Sequence, residues 1–459
     1  MIATIRLLKR ALPLILGSLF SYLIIFTDQI MTRGVGKDAL SMIYLANQAG
    51  QIVIYLVTAI EIAITITSAR CVKRGKDDDG DKRITTDDKE RRTALSGDDS
   101  VTPRAIPVSG AILCLILVGL TTIICIFAPN IVLSLLSGGG EILDTGATYL
   151  RLIALSHIPY ALSRALVAAA RGGGQNTPSL IAPVVAFFAN IIFNVYLIPT
   201  FGALGAGVAT LVSRVIELFA VLFMTRSIVI GEGASLTPPS PDVIKVLFKV
   251  ALPLLISQAI WGVNVFYFTR VVASTGNAAR EALGVAGSLY NLFFAIAGGL
   301  SQAIGVRTTR MSEGIEKSKV KAYMYRAHID SSVLLLGISG VLLGVLMYLS
   351  RAPFISIFNL SEDATLLADK FIFYYAATIP LVTLSTSLLH GVVKARGDLT
   401  LSSAIDLGTL LIYLIPVGLL SSLFSPTLLF LILRLEYLLK ALITIPLSQR
   451  RIDKRREAC

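Results

Sequence analysis

Asp28 lies inside an apolar run from Ala11 to Thr32, and no basic residue stands three or four positions away; those places hold Ile24, Ile25, Met31 and Thr32. A carboxylate in such a run must be neutralised by a proton, by an ion or by a residue from another helix, because an isolated charge in an apolar medium is costly. An ionisable group of this kind is first a candidate for handling protons or ions. The motif Ala11-Leu12-Pro13-Leu14 recurs as Ala251-Leu252-Pro253-Leu254, and by that offset the counterpart of Asp28 is Phe268. The acid is therefore no part of a repeated scaffold, and only the first half of the chain is equipped for cation chemistry.

Other charges inside apolar runs have local explanations. Arg214 and Glu217 are three apart, and Glu436 and Lys440, like Arg326 and Asp330, are four apart, spacings that face one another on a helix. Glu61 and Asp406 are expected within about two turns of a cytoplasmic helix end, where water is reachable. Asp77-Asp78-Asp79-Gly80-Asp81 spells a magnesium motif of membrane prenyl-transfer enzymes. Its mixed-charge surroundings and the absence of an acidic partner in the second half favour composition over catalysis. Gly138-Gly139-Gly140 and Gly172-Gly173-Gly174 lack a phosphate-loop lysine and read as helix breaks. Three separate histidines (157, 328, 390) and four scattered cysteines show no metal-ligand or disulfide spacing.

The elements that must position Asp28 are long apolar helices. Of 459 residues, 54% are hydrophobic and only 15% charged, far below the quarter that a water-facing surface requires. Apolar spans long enough for a bilayer fall near 11–32, 43–69, 106–128, 147–169, 178–198 and 205–228, then near 250–271, 282–304, 327–349, 370–392, 401–422 and 426–447. The expected fold is an all-α polytopic membrane protein of twelve transmembrane helices. The net charge of +12 sits in short clusters between spans, which argues against a nucleic-acid partner. Arg6, Lys9 and Arg10 precede a first run that is long enough to span and is expected to be retained. Lys and Arg concentrate at both ends and in the even-numbered connections, which predicts cytoplasmic termini. Landmarks recur at roughly half the chain length: Ala128-Pro129 with Ala352-Pro353, and Ile158-Pro159 with Ile379-Pro380. This predicts two pseudo-symmetric six-helix lobes, 1–232 and 233–459, entering the membrane from the same side. The first lobe carries a charged insertion at 73–104, expected to be flexible.

With these features in place, the chain resembles the multidrug and toxin extrusion (MATE) transporters over nearly its whole length apart from 73–104. The resemblance rests on Pro13 and Asp28 in the first span, Asn190-Ile-Ile-Phe-Asn194 in the fifth, Gly205-Ala-Gly-Val-Ala-Thr210 opening the sixth, and the Arg-Gly motifs after the fourth and tenth. It implies secondary antiport by alternating access: export of small organic, often cationic, compounds in exchange for protons or sodium. It also implies that Asp28, Asn190, Asn194 and Thr210 form a cation-coupling site and that Pro13 marks a bend of the first helix. One branch of the family has an aspartate where this chain has Asn194. Counting helical rise along the spans places all four residues in one layer toward the outer face.

The expected function is thus a multidrug-type antiporter of the plasma membrane, acting as a monomer without a cofactor. A proton is favoured over sodium because Asp28 is the only negative charge in its layer, and a lone acid can cycle between charged and neutral by proton transfer. Asn190 and Asn194 suit either ion, since an amide offers both donor and acceptor. The nearest rival is a flippase for lipid-linked saccharides. Such proteins line their cavities with many basic residues, whereas mid-span cations here are chiefly Arg164 and Arg434. A membrane-embedded prenyl-transfer enzyme is the rival from another class.

Overall fold

The structure, a computed structural model, describes residues 2–32, 37–77, 103–137, 144–229, 238–312, 319–358, 360–394 and 398–457. All regular elements among them are helical. The first half comprises α1 (Ile2–Met31), α2 (Lys37–Asp77), α3 (Ile106–Phe127), α4 (Pro129–Ser137), α5 (Asp144–Gly172), α6 (Thr177–Phe201) and α7 (Ala203–Val229). The second comprises α8 (Pro241–Ala273), α9 (Asn277–Ser312), α10 (Lys319–Ile355), α11 (Glu362–Leu388), α12 (Leu399–Thr409), α13 (Ile415–Leu419), α14 (Pro426–Arg434) and α15 (Glu436–Glu457). A π-turn at Leu389–Val393 extends α11, and another at Leu410–Leu414 joins α12 to α13.

Ten helical stretches among the described residues are long and apolar enough to cross a bilayer, and α1 adds a shorter apolar stretch, Ile15–Met31. The twelfth expected span, 426–447, runs as α14 and the start of α15, which meet at Leu435, itself in the helical region (φ −67°, ψ −8°). Large apolar side chains cover the outside: Phe127 is 82% and Ile412 81% exposed. In water such a surface would be untenable, and in lipid it is the required one. The chain is an all-α polytopic membrane protein.

Two sequence landmarks behave differently in the two halves. Ala128 leaves the helical region (φ −130°, ψ 45°), and Pro129 begins the short amphipathic α4, which hydropathy did not anticipate. Pro353 instead sits inside the last turn of α10. Proline is at home in the first turn of a new helix, so Ala-Pro permits a break without enforcing one. The glycine run after the fourth span does end a helix: α5 stops at Gly172, and Gly174 takes φ +92°. Gly138-Gly139-Gly140 and residues 78–102, most of the charged insertion, lie outside the described residues.

In the first half, α2, α3 and α7 pack on α5, while α6 lies against α1 and α7. In the second, α11 packs on α9, α10, α14 and α15. The halves meet reciprocally, α1 against α9 and α2 against α8. The largest buried apolar cluster draws on both halves, with Tyr44, Leu150 and Ala206 from the first and Leu283, Phe371 and Phe430 from the second.

Candidate functional site

Asp28 stands in the last turn of α1 and is 1% exposed. Asn190 and Asn194 lie one turn apart on α6, and both are fully buried. Thr210 lies on α7, which returns directly along α6 through a turn at Gly202, where φ is +56°. That value is open to glycine at little cost. Gly205 then lies flat against the backbone of α6, and a Cβ there would overlap the Leu197 carbonyl oxygen. The absence of a side chain at 205 is what lets Thr210 come down beside Asn190.

The four residues form one hydrogen-bonded cluster. Asn190 Nδ2 donates to Asp28 Oδ1 at 3.0 Å, and Asn194 Nδ2 donates to the same oxygen at 2.7 Å. Thr210 Oγ1 donates to Asp28 Oδ2 at 2.6 Å. The donors are themselves cross-linked: Asn190 Nδ2 to Thr210 Oγ1 at 3.3 Å and Asn194 Nδ2 to Asn190 Oδ1 at 3.1 Å. All three partners of the carboxylate are neutral. The nearest cation along α7, Arg214, is committed to Glu217 at 2.7 Å and lies 4.7 Å over the Tyr160 ring. Asn194 Oδ1 is buried without a partner, so the cluster holds one unused acceptor beside its acid. Pro13 lies in the same helix, α1, which runs through it unbroken. Lacking an N–H, it cannot bond the carbonyl four residues back, so α1 has a weak point about four turns from Asp28.

Two expectations about charge are corrected. Glu61 is not interfacial; it is 5% exposed and holds Arg164 and Arg171 of α5 at 2.7 and 2.8 Å. Asp406 is fully buried, 3.2 Å from Lys440 of α15, which also holds Glu436 at 3.6 Å. Both acids found cross-helix partners that hydropathy along one span cannot reveal. The local pairs Arg214–Glu217 and Glu436–Lys440 form as their spacing predicts.

A central cavity of about 50 Å³ lies between the halves. Its wall takes Tyr22, Tyr44 and Tyr55 from the first half, and Trp261, Tyr290 and Tyr437 from the second. Sites for drug-sized ligands run from about 300 Å³ upward, so this conformation holds the cavity nearly closed. Sequence reasoning missed this wall. The signal was there: Tyr22, Tyr55, Tyr290 and Tyr437 lie well inside their spans, away from the membrane interfaces where tyrosine normally collects.

The MatE family model matches residues 105–196, which include Asn190 and Asn194. Among curated proteins, the probable multidrug resistance protein NorM of Thermotoga maritima is 24% identical over 77% of this chain and 72% of its own length. Among solved structures, an inward-facing MATE family multidrug resistance transporter superposes with a TM-score of 0.75 over 96% of both chains at 16% identity. An outward-facing MATE transporter gives 0.74 over 98% of this chain and 96% of its own, also at 16% identity.

Proposed function

We propose that the chain is a MATE-type transporter, a secondary antiporter that exports organic compounds of the multidrug type. The fold is held in common with both inward- and outward-facing transporters, and the nearly closed cavity between reciprocally packed halves suits alternating access. We read 1–232 and 233–459 as the two moving lobes, both termini as cytoplasmic, and the protein as a monomer in the plasma membrane.

The observation that carries the coupling is the buried Asp28 cluster. A carboxylate with three neutral donors is stabilised when ionised, and each such bond is worth about 1.5–3 kcal/mol. Protonation turns the acid from acceptor to donor and obliges at least one partner to rearrange. Asn194 Oδ1, buried and unpaired, is the acceptor at hand. Occupancy by a proton thereby changes which packing of α1, α6 and α7 is preferred, the differential that exchange requires. We favour the proton over sodium because the cluster offers one carboxylate and turns donors, not lone pairs, toward it. The cavity wall is aromatic and amide-rich, with Arg434 its one basic residue among those described, which disfavours a diphosphate-gripping flippase.

The test uses proteoliposomes with an imposed pH gradient, no sodium, and ethidium as the transported probe. Uphill movement is the expected result. Movement only under a sodium gradient overturns the proton assignment, and movement under neither overturns the antiport.

A further inference from the structure

Arg434 closes α14 and Glu436 opens α15, on either side of Leu435. Both line the central cavity. Arg434 is 3% exposed, and its guanidinium lies 4.5 Å from the ring centre of Tyr437, 4.7 Å from Tyr290 and 4.8 Å from Tyr375.

Ring faces accept a cation's charge but leave its in-plane N–H groups without acceptors. Arg434 Nε finds one in Thr378 Oγ1 at 3.3 Å, whereas Nη2 is buried with none. No carboxylate among the described residues pairs with it. Glu436, which follows it on the wall, is taken by Lys440, as is Asp406. Lys394 rests on neutral Gln258 and His390 at 3.4 and 3.2 Å. The charged residues on the wall itself are Arg434 and Glu436; behind it stand Lys394, Lys440 and Asp406, so wall and backing together set three cations against two carboxylates, both on the same lysine. Across the cavity the wall offers neutral amides, Gln48 and Gln51 from α2 and Asn291 from α9, and no acid.

A buried guanidinium whose Nη2 is idle and whose Nε makes only a long bond to a hydroxyl lacks its natural partner, a planar anion. We infer that Arg434 is a substrate-reading residue and that, among the aromatic compounds the cavity admits, it prefers those carrying a carboxylate or similar acidic group, zwitterions included. The acidic group takes the Arg434 fork and neutralises the excess charge, while the body of the molecule lies on the tyrosines. This rests on the export reading above and specifies the cargo of the same cavity.

Trp261, the only tryptophan in the chain, is on the cavity wall and serves as reporter. Purified full-length protein is titrated with dansylglycine and with its uncharged amide, following energy transfer from Trp261; Trp261→Phe confirms the origin of the signal. The expected result is a preference for the acid of about tenfold or more, the worth of a charge-assisted hydrogen bond. Arg434→Gln should erase the preference while amide binding persists, and Arg434→Lys should keep part of it, having the charge without the fork. Equal binding of acid and amide by the wild-type protein overturns the inference without recourse to any variant. Persistence of the preference in Arg434→Gln overturns the assignment to Arg434. Ethidium transport in proteoliposomes separates the two levels. If ethidium moves and acid and amide bind alike, only this inference fails. If nothing moves, export fails, while the Trp261 titration still decides what the cavity binds.

Discussion

Replacing Asp28 by asparagine and by alanine separates charge from packing in the coupling cluster. In Asp28→Asn the Oδ1 position can still accept from Asn190 and Asn194, at 3.0 and 2.7 Å in the parent. The other position becomes an amide nitrogen facing Thr210 Oγ1, and a hydroxyl can turn to accept. Two donors, the Thr210 hydroxyl and the second amide N–H, then face one spare buried acceptor, Asn194 Oδ1, so one donor is left over at a cost of about 1–3 kcal/mol while the volume is kept. In Asp28→Ala, Asn190 Nδ2 keeps Thr210 and Asn194 Nδ2 keeps Asn190, whereas the Thr210 hydroxyl loses its acceptor. One buried unsatisfied donor costs about 1–3 kcal/mol. Alanine strands the same kind of donor and also leaves a cavity at a site 1% exposed, so it should lower the melting temperature in detergent measurably more than asparagine does. Coupling orders the pair differently. Three bonds of about 1.5–3 kcal/mol each make the ionised site sensitive by several kcal/mol to how α1, α6 and α7 are packed. That is the scale on which a ligand reverses a two-state population. Neither variant can change charge, so neither should export uphill, however well Asp28→Asn folds. The assay is gradient-driven ethidium movement in proteoliposomes beside a thermal melt. Uphill transport by a well-folded Asp28→Asn would refute the reasoning.

Four further outcomes follow from the same structure. Glu61→Gln strands Arg164 and Arg171 and should destabilise by about 3 kcal/mol, read as a lower melting temperature in detergent; an unchanged melt refutes a stabilising role for the cluster. Gly205→Ala forces a methyl group into the α6 backbone and should cost about 1–3 kcal/mol while loosening the Thr210–Asp28 bond, so stability and uphill transport should fall together. Exchanging residues 78–102 for a short Gly/Ser linker should leave cellular efflux intact at matched expression, and complete loss would reopen the aspartate-rich motif as a functional element. A pH gradient alone, without sodium, should drive export in the parent protein and not in Asp28→Asn.

The sequence makes the first-half site readable because its chemistry is conspicuous one residue at a time. A carboxylate without a neighbouring cation in an apolar run demands an explanation, and helical rise puts Asn190, Asn194 and Thr210 at its depth before any contact is known. What hydropathy cannot supply is which helix faces which. Glu61 and Asp406 look interfacial when each span is read alone, and they are buried because Arg164 and Lys440 arrive from other helices.

Arg434 shows the consequence for function. By sequence it is a mid-span arginine near a Glu–Lys pair, and a partner could have been assumed for it. By structure the pair Glu436–Lys440 is closed on itself and also holds Asp406, so the arginine is left to aromatic rings. Phe268, the counterpart of Asp28, stacks edge-on against Phe430 with ring centres 5.4 Å apart and lies 6.0 Å from Arg434. Where the first half placed an acid among neutral donors, the second placed an aromatic ring beside an unpaired cation. A buried charge with no counter-charge costs several kcal/mol in either half, and on the reading proposed here each is met by something that comes and goes. The two mobile charges differ in sign, a proton for Asp28 and an anionic group for Arg434. Exchange is productive only if the two are not satisfied in the same conformation, because a carrier whose two ligands select one state gains nothing from the gradient. Dansylglycine binding should accordingly weaken when Asp28 is protonated. In Asp28→Asn, which mimics that state, the weakening should be fixed at all pH values, and a titration identical to the parent protein's would show that the halves are not linked.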